Sequence, residues 1–124
     1  MDITPLIKGD RKIINSYGAS RFVVSGKEYA DSIILSPLTL DTWNIDSPFV
    51  WNEAVIEQLI NAAKDAEVVL VGTGKNMMPM PSKWRSLFRE KRISLDVMDT
   101  GAACRTYNVL LSEERRVIAA LILV

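Results

Sequence analysis

The run Glu67-Val68-Val69-Leu70-Val71-Gly72 holds four consecutive apolar residues, three of them β-branched, closed by a glycine. A strand wetted on one face alternates apolar and polar residues; an uninterrupted apolar run suits a strand covered on both faces. Helices supply that cover, and the flanking sequence has their period. Upstream, Val55, Ile56, Leu59, Ile60 and Ala63 form one apolar stripe. Asn52 is expected as its N-cap, accepting from an otherwise unpaired backbone N–H, with Pro48 shaping the approach. Downstream, Ser82 is expected to cap a helix with Trp84, Leu87 and Phe88 on one face, and Ile93 to Met98 reads as a strand. Thr100 is expected to cap a further helix, with Ala103, Tyr107, Leu110 and Leu111 on its stripe. Val117 to Val124 is again continuously apolar, which implies a central, buried strand. Strand–helix–strand–helix–strand order makes parallel neighbours. The predicted fold is α/β: a central parallel or mixed sheet flanked by helices.

Residues before Asn52 read differently. Residues 1–10 are expected to be a flexible arm and residues 11–124 a single domain. Ile13–Tyr17 and Arg21–Ser25 are expected strands around a turn at Gly18-Ala19, and Ser25-Gly26-Lys27 is a second turn signal. Ile33–Leu35 is a third strand, and Leu38–Trp43 a fourth at a sheet edge. Together these are expected to form a β meander packed alongside.

Composition narrows the function. Lysine plus arginine and aspartate plus glutamate number 15 each, so no global field attracts nucleic acid or an anionic membrane. The densest basic stretch is Lys83, Arg85, Arg89, Lys91 and Arg92, broken by Glu90 and without an aromatic ladder, and it reads as a solvated helix face. The chain has no histidine, which removes Ser–His and Cys–His nucleophiles and every histidine metal ligand. No metal site and no cofactor are expected. One cysteine, Cys104, rules out an intramolecular disulfide. The start, Met1-Asp2-Ile3-Thr4-Pro5, has no signal-peptide pattern, and the longest apolar run, eight residues from Val117, falls short of the roughly 20 needed to span a bilayer. A cytoplasmic location is expected.

Several residues are candidates for a site. Gly72-Thr73-Gly74 ends a buried strand, where open α/β sheets bind ligands, and Lys75 would add charge for an anion. Walker A spacing is absent, however, Met77 stands where a dinucleotide fingerprint needs a third glycine, and Pro79 and Pro81 delay the helix. Asp96 lies at a suitable distance for a ribose contact, while the glycines also read as a tight turn that re-aims the chain. Cys104 near a helix start is either a reactive thiol or a small core residue. Met77, Met78 and Met80 form either an adaptable partner-binding loop or a loop tucked onto the core. Asn108 either fixes a backbone turn or lines a pocket. The expected pocket gathers Gly72, Thr73, Gly74, Lys75, Thr100, Cys104, Arg105, Tyr107 and Asn108; no residue is assigned as catalytic. Asp96 and Asp99 alternate across a strand, poor geometry for an acid–base pair.

The glycine loop, Met98-Asp99-Thr100, Ala102-Ala103-Cys104-Arg105-Thr106-Tyr107-Asn108-Val109-Leu110 and Ser112-Glu113-Glu114-Arg115-Arg116-Val117 together resemble the signature of the Mth-like family of unknown function. Tyr29 to Pro37 and Trp43 fit its first half, and the resemblance runs from about residue 13 to residue 124. That family includes mitochondrial respiratory complex I assembly factor three and the adipogenesis-associated Mth-like domain protein. The resemblance implies three layers with a small extra sheet, and no established catalytic mechanism. It also implies a protein partner and peripheral association with a membrane complex. The expected function is therefore non-catalytic binding or assembly; the alternative is a small-ligand or anion-binding domain using Gly72-Thr73-Gly74, and a third reading is thiol redox chemistry at Cys104.

Overall fold

The computed structural model describes residues 1–4, 9–46 and 49–124. Among the described residues, eight strands and three helices follow in the order β1 (Ile14–Gly18), β2 (Arg21–Val24), β3 (Lys27–Tyr29), β4 (Ile33–Leu35), β5 (Leu40–Thr42), α1 (Glu53–Ala62), β6 (Val68–Gly72), α2 (Ser82–Glu90), β7 (Ser94–Met98), α3 (Thr100–Ser112) and β8 (Val117–Leu121). The central sheet has the order β5-β4-β8-β6-β7. β6 runs parallel to β7 and β8, while β4 is antiparallel to both β5 and β8.

Each face of this sheet builds its own core, because successive strand residues point to opposite sides. Val68 and Leu70 of β6 share one cluster with Val117, Ala119 and Leu121 of β8 and with Ala103, Cys104, Tyr107 and Leu111 of α3. Val69, Val71 and Ala120 point the other way, onto Val55, Ile56 and Leu59 of α1 and Phe88 of α2. All five residues of β6 are buried, as its uninterrupted apolar sequence requires. The layers are α1 and α2, the sheet, and α3 together with a three-stranded sheet of order β1-β2-β3. Ile14, Tyr17, Phe22 and Val24 of that small sheet close over α3.

Sequence and structure differ in several places. β4 and β5 belong to the central sheet, so the meander is only β1–β3. Ile33 and Leu35 join the α3-side core while Ile34 joins the other, so β4 is covered on both faces and pairs with β8. Leu38 lies in the β4–β5 turn, 66% exposed. The first hairpin turns at Ala19 and Ser20, both at positive φ, and the Ser20 amide donates to the Val124 carbonyl at 2.9 Å. Asn52 caps α1 as expected, accepting from the Val55 amide at 2.9 Å. Pro81, not Ser82, holds the N-cap position of α2, without a side-chain cap. Asp99, not Thr100, caps α3, accepting from the Ala102 amide. Residues 1–4 lie against β1, with the Ile3 amide on the Asn15 carbonyl and Met1 bonded to Tyr17; residues 5–8 of the expected arm, and Pro48, lie outside the described residues.

Candidate functional site

The ends of β6, β7 and β8 meet the start of α3 at one rim. Gly72 sits so close to α3 that a Cβ built on it would lie 2.8 Å from the Thr100 Cα and 3.1 Å from the Ala103 Cβ. Thr100, freed from capping by Asp99, turns inward. Its hydroxyl accepts from the Gly74 amide at 2.9 Å and donates to the Ile122 carbonyl at 2.7 Å, while its amide donates to the Gly74 carbonyl. The Thr73 amide donates to the Met98 carbonyl. The amides of Thr73 and Gly74 are therefore already committed within the fold. The glycines bring strand and helix together; an anion here would have to displace those bonds.

Thr73 also organises the loop that follows. Its buried hydroxyl donates to the Asn76 carbonyl at 2.7 Å and accepts from the Met78 amide at 2.9 Å. From the other side, the Trp51 indole donates to the Met78 carbonyl at 3.1 Å. Trp51 stacks edge-on with Phe49, their centroids 4.9 Å apart. Met80 is 2% exposed and belongs to the α1–α2 core, whereas Met77 and Met78 are 53% and 38% exposed. Met80 is thus the loop methionine tucked onto the core, and Met77 and Met78 stay on the surface. Trp51 was not among the sequence candidates; its indole partner is 27 residues away, and no local pattern announces it.

The nine residues expected around one pocket separate. Gly72, Thr73, Gly74 and Thr100 knit the rim closed, and Lys75 lies exposed beside it. Cys104 and Tyr107 are 0% exposed in the α3-side core. The Tyr107 hydroxyl donates to the Lys12 carbonyl at 2.7 Å, and burial raises its pKa. Arg105 donates to the Tyr17 hydroxyl. The Asn108 amide group brackets the backbone of Ile14, a strand residue rather than a turn, and borders a pocket of about 210 Å³ with Ile3, Arg105, Val109 and Ser112. That pocket is on the small-sheet side and does not include the glycine loop. The reason is helical spacing: Thr100 and Cys104 point to the sheet, while Arg105 and Val109 point away. A larger cleft of about 740 Å³ lies near the other end of β6 and β8, lined in part by Arg11, Leu38, Lys64, Asp65, Glu114 and Arg116. Several of its cations already have partners: Arg11 donates to the Leu111 carbonyl and Arg116 to the Asp65 carbonyl.

Burial pushes the Cys104 thiol up from 9.0 to about 12, against a smaller lowering by Arg105. A thiol so placed is the opposite of an activated one. Native-state labelling of Cys104 at neutral pH is expected to be roughly a thousandfold slower than that of a free thiol, from the thiolate fraction alone. The same shift predicts alkaline destabilisation. The ionised form is disfavoured only in the folded chain, so stability is intact below pH 9 and falls as pH rises from 9 toward 12. Urea midpoints at pH 8 and pH 10 check this, and Cys104→Ala should remove part of the fall. Among the described residues, no group of three or more acidic, cysteine or histidine side chains is placed to hold a metal ion.

The model for the "protein of unknown function (DUF498/DUF598)" family matches residues 14–122. The human protein named NADH dehydrogenase [ubiquinone] 1 alpha subcomplex assembly factor 3 is 31% identical over 109 residues, 88% of this chain and 59% of that protein. The chain thus spans about 60% of the length of the first vertebrate relatives it matches. A Bartonella henselae crystal structure described as an outer membrane protein superposes with a TM-score of 0.80 at 38% identity, covering 91% of this chain and 95% of that one. A Bordetella pertussis Mth938-like domain solved by NMR has a TM-score of 0.78 at 23% identity, covering 98% and 92% respectively, and shares the fold. With a family match that spans every strand and helix from β1 to β8, and a fold held in common with Mth938-like domains, the chain belongs to the DUF498/DUF598 family of proteins of unknown function.

Proposed function

We propose that this chain is a non-catalytic assembly protein that binds a protein partner through the Met77–Met78 loop and assists biogenesis of a membrane-bound respiratory complex. The observation that carries this reading is the contrast within the loop. Its backbone is fixed by Thr73 and Trp51, while two methionine side chains are left exposed. Unbranched thioether side chains adapt to varied partner surfaces, and a fixed backbone reduces the ordering cost of binding. The assembly-factor names of the vertebrate relatives support the class of partner. Among the described residues no helix is long and apolar enough to cross a membrane, so contact with a membrane complex through them would be peripheral.

The test is affinity purification from cross-linked native cells, comparing the parent chain with Met77→Asp/Met78→Asp. Both side chains are exposed, so folding stability should change by no more than about 0.5 kcal/mol. Recovery of respiratory-complex subunits should fall about tenfold, since burying two methionines on a partner is worth over 1 kcal/mol. If the parent chain enriches no such subunits above background, the assembly reading fails. If the variant recovers them equally well, the loop is not the docking site.

A further inference from the structure

β7 lies at one end of the central sheet and, among the described residues, pairs only with β6. The Ser94 amide donates to the Glu67 carbonyl, and the Met98 carbonyl accepts from the Thr73 amide, so Ser94, Asp96 and Met98 direct their backbone groups toward β6. Leu95 and Val97 lie between them and direct theirs outward. Among the described residues none of these outward groups has a hydrogen-bond partner in the fold. The other open edges, β3 and β5, are three residues long, whereas β7 has five. An unpaired edge of this length is a template for another strand.

We propose that β7 is the seam of a two-fold dimer, in which two copies of this chain pair antiparallel about Leu95. The register follows from charge and parity. A two-fold axis normal to the sheet keeps each side chain on its own face, so the sum of paired residue numbers is even. Centring on Asp96 would set two exposed carboxylates directly opposite, which is destabilising. Centring on Val97 would run each strand into the Asp99 cap and the start of α3 in the other copy. Centring on Leu95 sets Leu95 opposite Leu95 and Ile93 opposite Val97, on the α2 side where these residues already pack. On the opposite side it places each Ser94 against Asp96 of the other copy, a hydroxyl facing a carboxylate. The Leu95 amide and carbonyl then pair reciprocally, and each Val97 amide meets an Ile93 carbonyl. The Ile93 amide is not required, since it already donates to the Phe88 carbonyl at 3.0 Å. Asp96 thus selects the register.

Sedimentation velocity of the full chain over a concentration series reads the association directly. Ser94 is exposed, so its variants should fold normally, which the thermal midpoint verifies. Ser94→Lys creates two opposite-charge pairs with Asp96 and should tighten the dimer about fivefold; Ser94→Asp creates two like-charge pairs and should weaken it about tenfold. Ser94→Cys/Asp96→Cys should oxidise to a covalent dimer. Directly opposed residues of a non-hydrogen-bonded pair lie about 4.5 Å apart at Cα, within disulfide reach. A chain that stays monomeric up to about 1 mM, a dimer indifferent to both Ser94 charge variants, or a double-cysteine variant that fails to cross-link would each overturn the proposal.

Discussion

Asn108→Ala is expected to lower the unfolding free energy by about 4 kcal/mol, the largest loss for any polar residue of α3. Asn108 is 5% exposed and spends its side chain on backbone. Its carbonyl oxygen accepts from the Ile14 amide at 3.1 Å, and its amide nitrogen donates to the carbonyls of Ile14 at 2.8 Å and Ile3 at 3.4 Å. Ile14 is fully buried, and the β1–β2 register is irregular between Ile14 and Ser16. Truncating Asn108 would strand a buried donor and a buried acceptor at once, and each costs roughly 1–3 kcal/mol. Urea unfolding measures the total. Hydrogen exchange locates it: amides of β1 and β2 should lose more protection than those of β6 and β8, because Asn108 ties the small sheet to α3. Uniform loss across both sheets would show that the small sheet has no separate opening of its own.

That coupling also marks where the sequence stops being informative. Strands β6 and β8 are legible because two-sided burial leaves no place for a polar residue, and their runs of Val68–Val71 and Val117–Leu121 say so locally. The α1 stripe and its Asn52 cap are equally local. The partition of the first half into two sheets is not local. Ile33–Leu35 pairs with residues 119–121, and only that long-range pairing separates β4 from the meander. β3, Lys27-Glu28-Tyr29, has no apolar alternation and is a strand because β2 supplies its bonds. At the site, Asp99 and Thr100 are adjacent residues that can both cap a helix, Asp somewhat the better, and the inward role of Thr100 depends on Gly74 and Ile122, which lie far from it in sequence. The glycine loop was legible as a special place. Its purpose was not, since the same glycines serve a ligand or a close helix, and only the 2.8 Å approach to Thr100 distinguishes them.

The glycine loop itself supplies the second large effect. Gly72→Ala is expected to cost about 3 kcal/mol. Its new methyl would meet the Thr100 Cα, a backbone atom that cannot rotate aside, so α3 must lift from β6. Gly74→Ala should cost less, about 1–2 kcal/mol, for a different reason. Gly74 has φ near +96°, unfavourable for a side chain, yet its added methyl would meet only the Ile122 Cγ2 at 3.7 Å. Lys75→Ala, at an exposed position, should stay within about 0.5 kcal/mol. The order Gly72, Gly74, Lys75 in urea midpoints is thus the signature of a packing joint. An anion site predicts another pattern: Lys75 would dominate a ligand-induced thermal shift, and the Gly74 amide would first have to leave the Thr100 hydroxyl. Screening phosphosugars and nucleotides against the parent chain and Lys75→Ala separates the two. A ligand at 100 times its dissociation constant adds about 2.7 kcal/mol, so a Lys75-dependent gain of that size would restore the loop as a binding site. Near-normal stability of Gly72→Ala would mean that α3 does not sit against β6 as closely as the Thr100 contact requires.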